Sequence, residues 1–227
     1  MIIPLRDENP TRATPYINYS LVAANSLIFV YEITLSPRAQ TAFATTYGTI
    51  PVRFAHVLSS HGQLEAALLP LFTSMFLHAN LAHLLGNMLF LWIFGDNVED
   101  FFGHIGYFAF YVLSGVASGL THIAFNLHNT LPAVGASGAI SGVLGAYLLL
   151  YPRNRILTLI LIFLVPLPAF LILGYWFLVQ FFAGISSFGM AATKGVGGVA
   201  WWAHIGGFLT GFLVTAAVRR KPQRQLR

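Results

Sequence analysis

Apolar residues along this chain gather in blocks instead of repeating at helical or strand spacing. Blocks of about 15 residues or more carry almost no charge, and the prolines and charges collect between them. Crossing ~30 Å of hydrocarbon at ~1.5 Å per residue takes about 20 apolar residues, so each block reads as a membrane helix. Six spans are expected, at about 17–35, 81–94, 105–125, 135–151, 156–182 and 201–218. An acidic turn, 96–100, closes the second. The connection 36–80 holds Pro37, Arg38, Pro51, Arg53, Glu65 and Pro70, and is too polar and broken to span. Its apolar pieces at 64–69 and 71–77 suit a segment that lies in the interface or dips partly into the bilayer. The expected fold class is an all-α membrane protein, a six-transmembrane-helix bundle over 17–218. A segment 1–16 precedes it and a basic tail 219–227 follows.

Composition supports the lipid solvent. Hydrophobic residues make up 56% of the 227 and charged residues only 8%, against about 25% in a soluble domain that must solvate its surface. The start of the chain, with Arg6, Asp7, Glu8 and Arg12 among prolines, lacks the basic-apolar-small order of a cleaved signal, so the first span is kept as a mature helix. There are no cysteines, which excludes disulfides and thiolate metal sites. The net charge of +5 reads as topology and not as a nucleic-acid surface. With six spans, both termini share one side, and that side holds Arg6, Arg12, Arg153, Arg155, Arg219, Arg220, Lys221, Arg224 and Arg227. The opposite side holds Arg38, Arg53 and Lys194, and nine against three places both ends in the cytoplasm. The protein is therefore expected to be a multi-pass protein of the cell membrane, with the lipid bilayer as its surroundings.

Polar residues in such blocks are expensive and by default line a site. Ser137 lies 16 residues before Arg153 and His204 lies 15 before Arg219, depths of ~24 and ~22 Å along intact helices. The second span runs the other way; His83 and Asn87 lie 16 and 12 residues before Glu99, at ~24 and ~18 Å. Three segments thus deliver a serine, two histidines and an asparagine to one depth. A serine hydroxyl needs an adjacent base, and histidine is the usual one. The fourth and sixth spans contain no Asp or Glu, so a Ser137–His204 dyad is expected instead of a triad. Asn87, His83 and the Ser137 amide, in the first turn of its helix, are candidate donors to an oxyanion. Gly138 and Gly142 on one span, and Gly207 and Gly211 on another, form small faces that allow close approach. Ser141 and Ser114 are expected to bond the carbonyl a turn earlier, and His78, His104, His122 and His128 to lie at helix ends near the interface.

At these residues the sequence resembles the rhomboid intramembrane serine proteases, over most of the chain. The family's Gly-x-Ser-Gly reads Gly135-Ala136-Ser137-Gly138, and its histidine before a glycine-rich face reads Ala203-His204-Ile205-Gly206-Gly207. Its His-x-x-x-Asn reads His83-Leu84-Leu85-Gly86-Asn87, with His78 five residues earlier, and the acidic turn Gly95-Asp96-Asn97-Val98-Glu99 also matches. The resemblance implies a rhomboid-like bundle whose serine helix starts at the bottom of a cavity open to the outer face. It implies cleavage of peptide bonds in or near the transmembrane segment of single-span membrane-protein substrates, favouring small residues and a locally unstable helix. Ser137 would be nucleophile and His204 base, then acid. His83, Asn87, Ser137 and Gly135 would form the oxyanion and substrate-binding region, with no metal or cofactor. By analogy the glycine-rich loop 183–200 would cap the cavity. Two positions depart from the pattern. Some members carry an aromatic four residues after the serine, stacked on the histidine, where this chain has Ser141, so something else must position His204. The Trp-Arg pair that many members carry in the first loop is missing from 36–80.

Other functions fit less well. A non-catalytic binding relative would typically lack the serine or the histidine, and both are present. A metalloprotease would place histidines four apart beside a glutamate, whereas His78 and His83 are five apart with no carboxylate near. A transporter would show a broken midplane helix or an internal repeat.

Overall fold

The computed structural model describes residues 2–60, 62–190 and 199–219. The chain begins with a strand, β1 (Ile2–Asp7), and enters α1 (Tyr16–Thr34). The connection before the second span folds into three short helices, α2 (Pro37–Tyr47), α3 (Pro51–Ser59) and α4 (Leu64–Thr73), and a 3₁₀ turn at Ser74–Phe76. Proline sets two of these starts, Pro37 and Pro51, where its missing N–H costs nothing. The long helices α5 (Leu81–Phe102) and α6 (His104–Phe125) meet at Gly103, whose φ of 69° ends one and begins the other. Then come α7 (Ser137–Leu150), the strands β2 (Arg155–Ile160) and β3 (Phe163–Pro168), α8 (Ala169–Met190) and α9 (Trp201–Val218).

The protein is a mostly helical membrane bundle. Among the described residues, α5, α6, α9 and 169–187 of α8 are long and apolar enough to cross a bilayer. Asn18, Asn25 and Glu32 dilute α1, and α7 has only 14 residues. That is ~21 Å of rise against ~30 Å of hydrocarbon. α7 nevertheless sits at the centre, packed against α5, α6, α8 and α9, with every residue from Gly138 to Tyr147 buried. The core runs through Leu91, Phe94, Val98, Tyr107, Tyr111, Val143 and Tyr147. At the C-terminal end of α7, Arg219 donates from Nη1 to the Leu149 carbonyl at 3.0 Å, a cation on the negative pole of a helix. The other tail positions, 220–227, lie outside the described residues.

Three expectations are corrected. The second span does not stop at 94; α5 continues to Phe102 and takes the acidic residues into its last turns. There they cap another element. α1 starts after Pro15 with no side-chain cap of its own, and Glu99, only 2% exposed, accepts from Ile17 N at 3.0 Å and Asn18 N at 2.7 Å. Asp100 accepts from Arg12 N and Ala13 N just before. The fifth span does not begin at 156. Residues 156–168 form an antiparallel hairpin, and segment 1–16 supplies β1 as its third strand, in the order β1-β2-β3. Pro166 and Pro168 lie on the edge strand, where a missing N–H interrupts no ladder. Finally, residues 183–190 of the expected capping loop belong to α8 and 191–198 lie outside the described residues.

Candidate active site

Ser137 is the first residue of α7, preceded by a cap residue, Ala136, that makes no side-chain bond. Its amide therefore has no partner within the helix. The segment leading to it is held from outside. Gly135 N donates to the Ser74 carbonyl at 2.8 Å, and Thr49 and Ala133 exchange backbone bonds at 3.0 and 2.9 Å. Thr49 and Ser74 are themselves joined through their hydroxyls at 3.1 Å. The long connection thus buttresses the serine loop.

Gly135 has φ of 129°, a conformation that side chains rarely adopt. A Cβ there would also lie 2.7 Å from His83 Cε1 and 2.8 Å from His83 Nε2, with Asn87 Nδ2 at 3.6 Å. The imidazole edge of His83 therefore presses on the backbone two residues before Ser137, with the amide of Asn87 beside it. Both come from the first two turns of α5, whose N-cap Asn80 accepts from His83 N at 2.9 Å. Asn87 Nδ2 donates to His78 Nε2 at 3.0 Å, and the rings of His78 and His83 lie 5.2 Å apart. His78 lies near a helix end, two residues before the α5 N-cap, but is buried and serves the Asn87 amide. His122 is buried as well, whereas His104 and His128 are exposed.

His204, in the first turn of α9, points its Nε2 at Ser137 Oγ across 2.8 Å. Two helices can bring these side chains together because almost nothing separates their backbones. A Cβ on Gly207 would fall 2.0 Å from the Gly138 carbonyl oxygen, and one on Gly211 would fall 1.9 Å from that of Gly142. α6 closes on α7 in the same manner, with Ser118 against Gly138 and Ser114 against Gly142. This explains a further correction. Ser141 does bond back, to the Ser137 carbonyl at 2.6 Å, but the Ser114 hydroxymethyl fills the space left by Gly142, and its Oγ is buried without a partner.

The sequence reading missed one residue. Gln180, on α8 and buried, meets His204 Nδ1 with its Oε1 at 2.7 Å. One turn earlier, the Trp176 ring lies 5.8 Å from the imidazole, tilted by 34°. The signal was available, since a lone amide in an apolar membrane helix is as conspicuous as the asparagine on α5. Among the described residues no three His, Asp or Glu side chains converge as a metal site requires.

Ser137, His204, His83 and Asn87 all lie within the stretch that a family model matches. The model described as Rhomboid domain matches residues 65–221, from α4 through the last helix and into the tail. The chain belongs to the rhomboid family. Rhomboid protein 1, mitochondrial, of Saccharomyces cerevisiae is 33% identical over 161 residues, 67% of this chain and 44% of that protein. RHOMBOID-like protein 6, mitochondrial, of Arabidopsis thaliana is 34% identical over 156 residues, again 67% of this chain and 44% of the relative. Rhomboid protease GluP of Bacillus subtilis is 33% identical over 149 residues, 65% of this chain and 25% of that protein. The chain spans less than half the length of these curated rhomboid relatives. With the apolar helices described above, membership makes this a multi-pass membrane protein.

Proposed function

We propose that the protein is an intramembrane serine endopeptidase that cuts peptide bonds in or near the transmembrane segments of membrane-protein substrates, with Ser137 and His204 as its dyad. The observation that carries this is the 2.8 Å approach of His204 Nε2 to Ser137 Oγ between two helices in backbone contact. That one relative bears the name of a protease adds support.

In the proposed reaction, His204 Nε2 takes the hydroxyl proton as Ser137 Oγ bonds to the scissile carbonyl carbon. The tetrahedral oxyanion forms beside the unpartnered Ser137 amide and the His83/Asn87 face. The Asn87 amide gives one N–H to His78 and keeps a second to donate. His204 returns the proton to the departing amine nitrogen, breaking the C–N bond and leaving an acyl ester on Ser137. Water, deprotonated by the same imidazole, then releases the acid and restores the serine. A single-span helix with small, helix-breaking residues suits this site, because an intact helix withholds its carbonyls from a nucleophile. The distribution of basic residues supports six spans with both termini in the cytoplasm.

The test is cleavage of such a substrate by the detergent-purified protein, beside Ser137→Ala and His204→Ala. The parent cuts; both variants keep the parental melting temperature and lose cleavage. Undiminished cutting by Ser137→Ala would overturn the dyad. A folded parent that cuts none of several such substrates would support a binding role without catalysis.

A further inference from the structure

We infer that α8 takes over the positioning of the catalytic histidine, with Gln180 as the positioning residue; the inference rests on the dyad reading above. A neutral imidazole has one N–H and one lone pair, and Ser137 can be deprotonated only if the lone pair is on Nε2. The proton must then sit on Nδ1, and the atom 2.7 Å from Nδ1 is the Gln180 carbonyl oxygen, which can only accept. The opposite orientation, amide N–H toward Nδ1, would drive the proton to Nε2 and leave the serine without a base. Gln180 thereby selects the competent tautomer, and it fixes the ring with Nε2 facing Ser137 at 2.8 Å.

Two further observations point the same way. Position 141, four residues after the serine, carries a hydroxyl that is spent on the Ser137 carbonyl, so the serine helix offers His204 no ring to lean on. Trp176 supplies one from α8 instead, four residues before Gln180 and on the same face, 5.8 Å from the imidazole. A buried glutamine in a membrane helix is also costly unless bonded, and the histidine is the bond it makes. Because the acceptor is a neutral amide, the imidazolium formed during the reaction is steadied by a dipole and not by a carboxylate.

The experiment compares Gln180→Met, of similar length with no oxygen, and Gln180→Glu, which keeps an acceptor, for cleavage of the single-span substrate. For the Met variant kcat falls about ten-fold, the scale of one lost hydrogen bond. KM stays within about two-fold, because the lost contact acts on the chemical step and not on binding. The Glu variant recovers most of kcat, and both keep the parental melting temperature. Gln180→Leu removes the acceptor with a different shape, so a packing defect in one variant does not obscure the result. A Met variant with parental kcat, a loss confined to KM, or equal losses in Met and Glu would overturn the assignment. Ser137→Ala in the same assay separates the two claims. If it still cuts, the dyad fails; if it is dead while Gln180→Met is unimpaired, only the role of Gln180 fails.

Discussion

Replacing Gly207 with alanine adds one carbon where α7 and α9 are in backbone contact, three residues from His204. That Cβ would sit 2.0 Å from the Gly138 oxygen, 3.0 Å from the carbonyl carbon and 3.3 Å from Ser141 Cβ. A carbon and a carbonyl oxygen settle at about 3.3 Å or more, so the backbones must part by about 1.3 Å. The obstacle is backbone on a fully packed helix, so no side-chain rotation relieves it. Ser137 begins the same α7 segment and His204 lies three residues before Gly207. If the separation acts along their 2.8 Å line, it opens to about 4 Å, beyond a hydrogen bond. A 1 Å displacement of reacting groups costs about 10²-fold in rate, and overpacking costs about 1–3 kcal/mol of stability. Gly207→Ala is therefore expected to lose at least about 10²-fold in kcat with a lowered melting temperature. Gly86→Ala and Gly174→Ala, where a Cβ would meet nothing within 4 Å, serve as controls and keep parental values. All four proteins are compared by initial cleavage rates and by thermal unfolding in one detergent. A Gly207→Ala protein with more than half the parental kcat would refute the claim that backbone contact sets the serine–histidine distance.

Two other expectations concern the far end of the molecule. Glu99→Leu leaves the amides of Ile17 and Asn18 and the His104 ring nitrogen without their acceptor. The exposed His104 ring turns to water, and at about 1–3 kcal/mol for each of the two stranded amides this is a loss of about 2 kcal/mol or more. Glu99→Gln loses less, and equal unfolding midpoints for parent and Glu99→Leu would contradict the cap. Asp7, whose carboxylate accepts from Tyr147 OH at 2.7 Å, has its pKa raised from 3.8 to about 6, first by burial and then by the charge of Asp96. The folded state thus holds this proton more tightly than the unfolded chain, so stability falls as pH rises from about 4 to about 6 and levels off above. Asp7→Asn keeps an acceptor for Tyr147 and removes that slope, which melting temperatures across the window will show; an unchanged slope would assign it to another group.

The site was more legible in the sequence than the fold around it. Ser137, His204, His83 and Asn87 could be aligned because each helix carries a charged marker at a known distance, and helical rise converts count into depth. Gln180 had no such marker, since α8 carries no charged residue, and it was counted into the end of an apolar block whose limits hydropathy alone had set. The hairpin escaped for a related reason. Residues 156–168 are apolar in any conformation, and hydropathy does not distinguish a buried ribbon from a span. The prolines at 166 and 168 were the local objection to a helix there. Segment 1–16 gave no sign of pairing, because the partner of a strand is not written within it. Ser114 shows the limit of local rules: the back-bond expected of a helical serine gave way to a cavity on another helix.

The cap on α1 also bears on the order in which the chain can be completed. Glu99 lies 82 residues after Ile17, and at about 5–20 residues per second of synthesis the first helix exists for roughly 4–16 s before its acceptor is made. During that interval two N-terminal amides, later buried, must stay solvated. α1 can enter the lipid early, but its N-terminal amides find their acceptor only when α5 arrives, so the first helix made is not capped before the second long one.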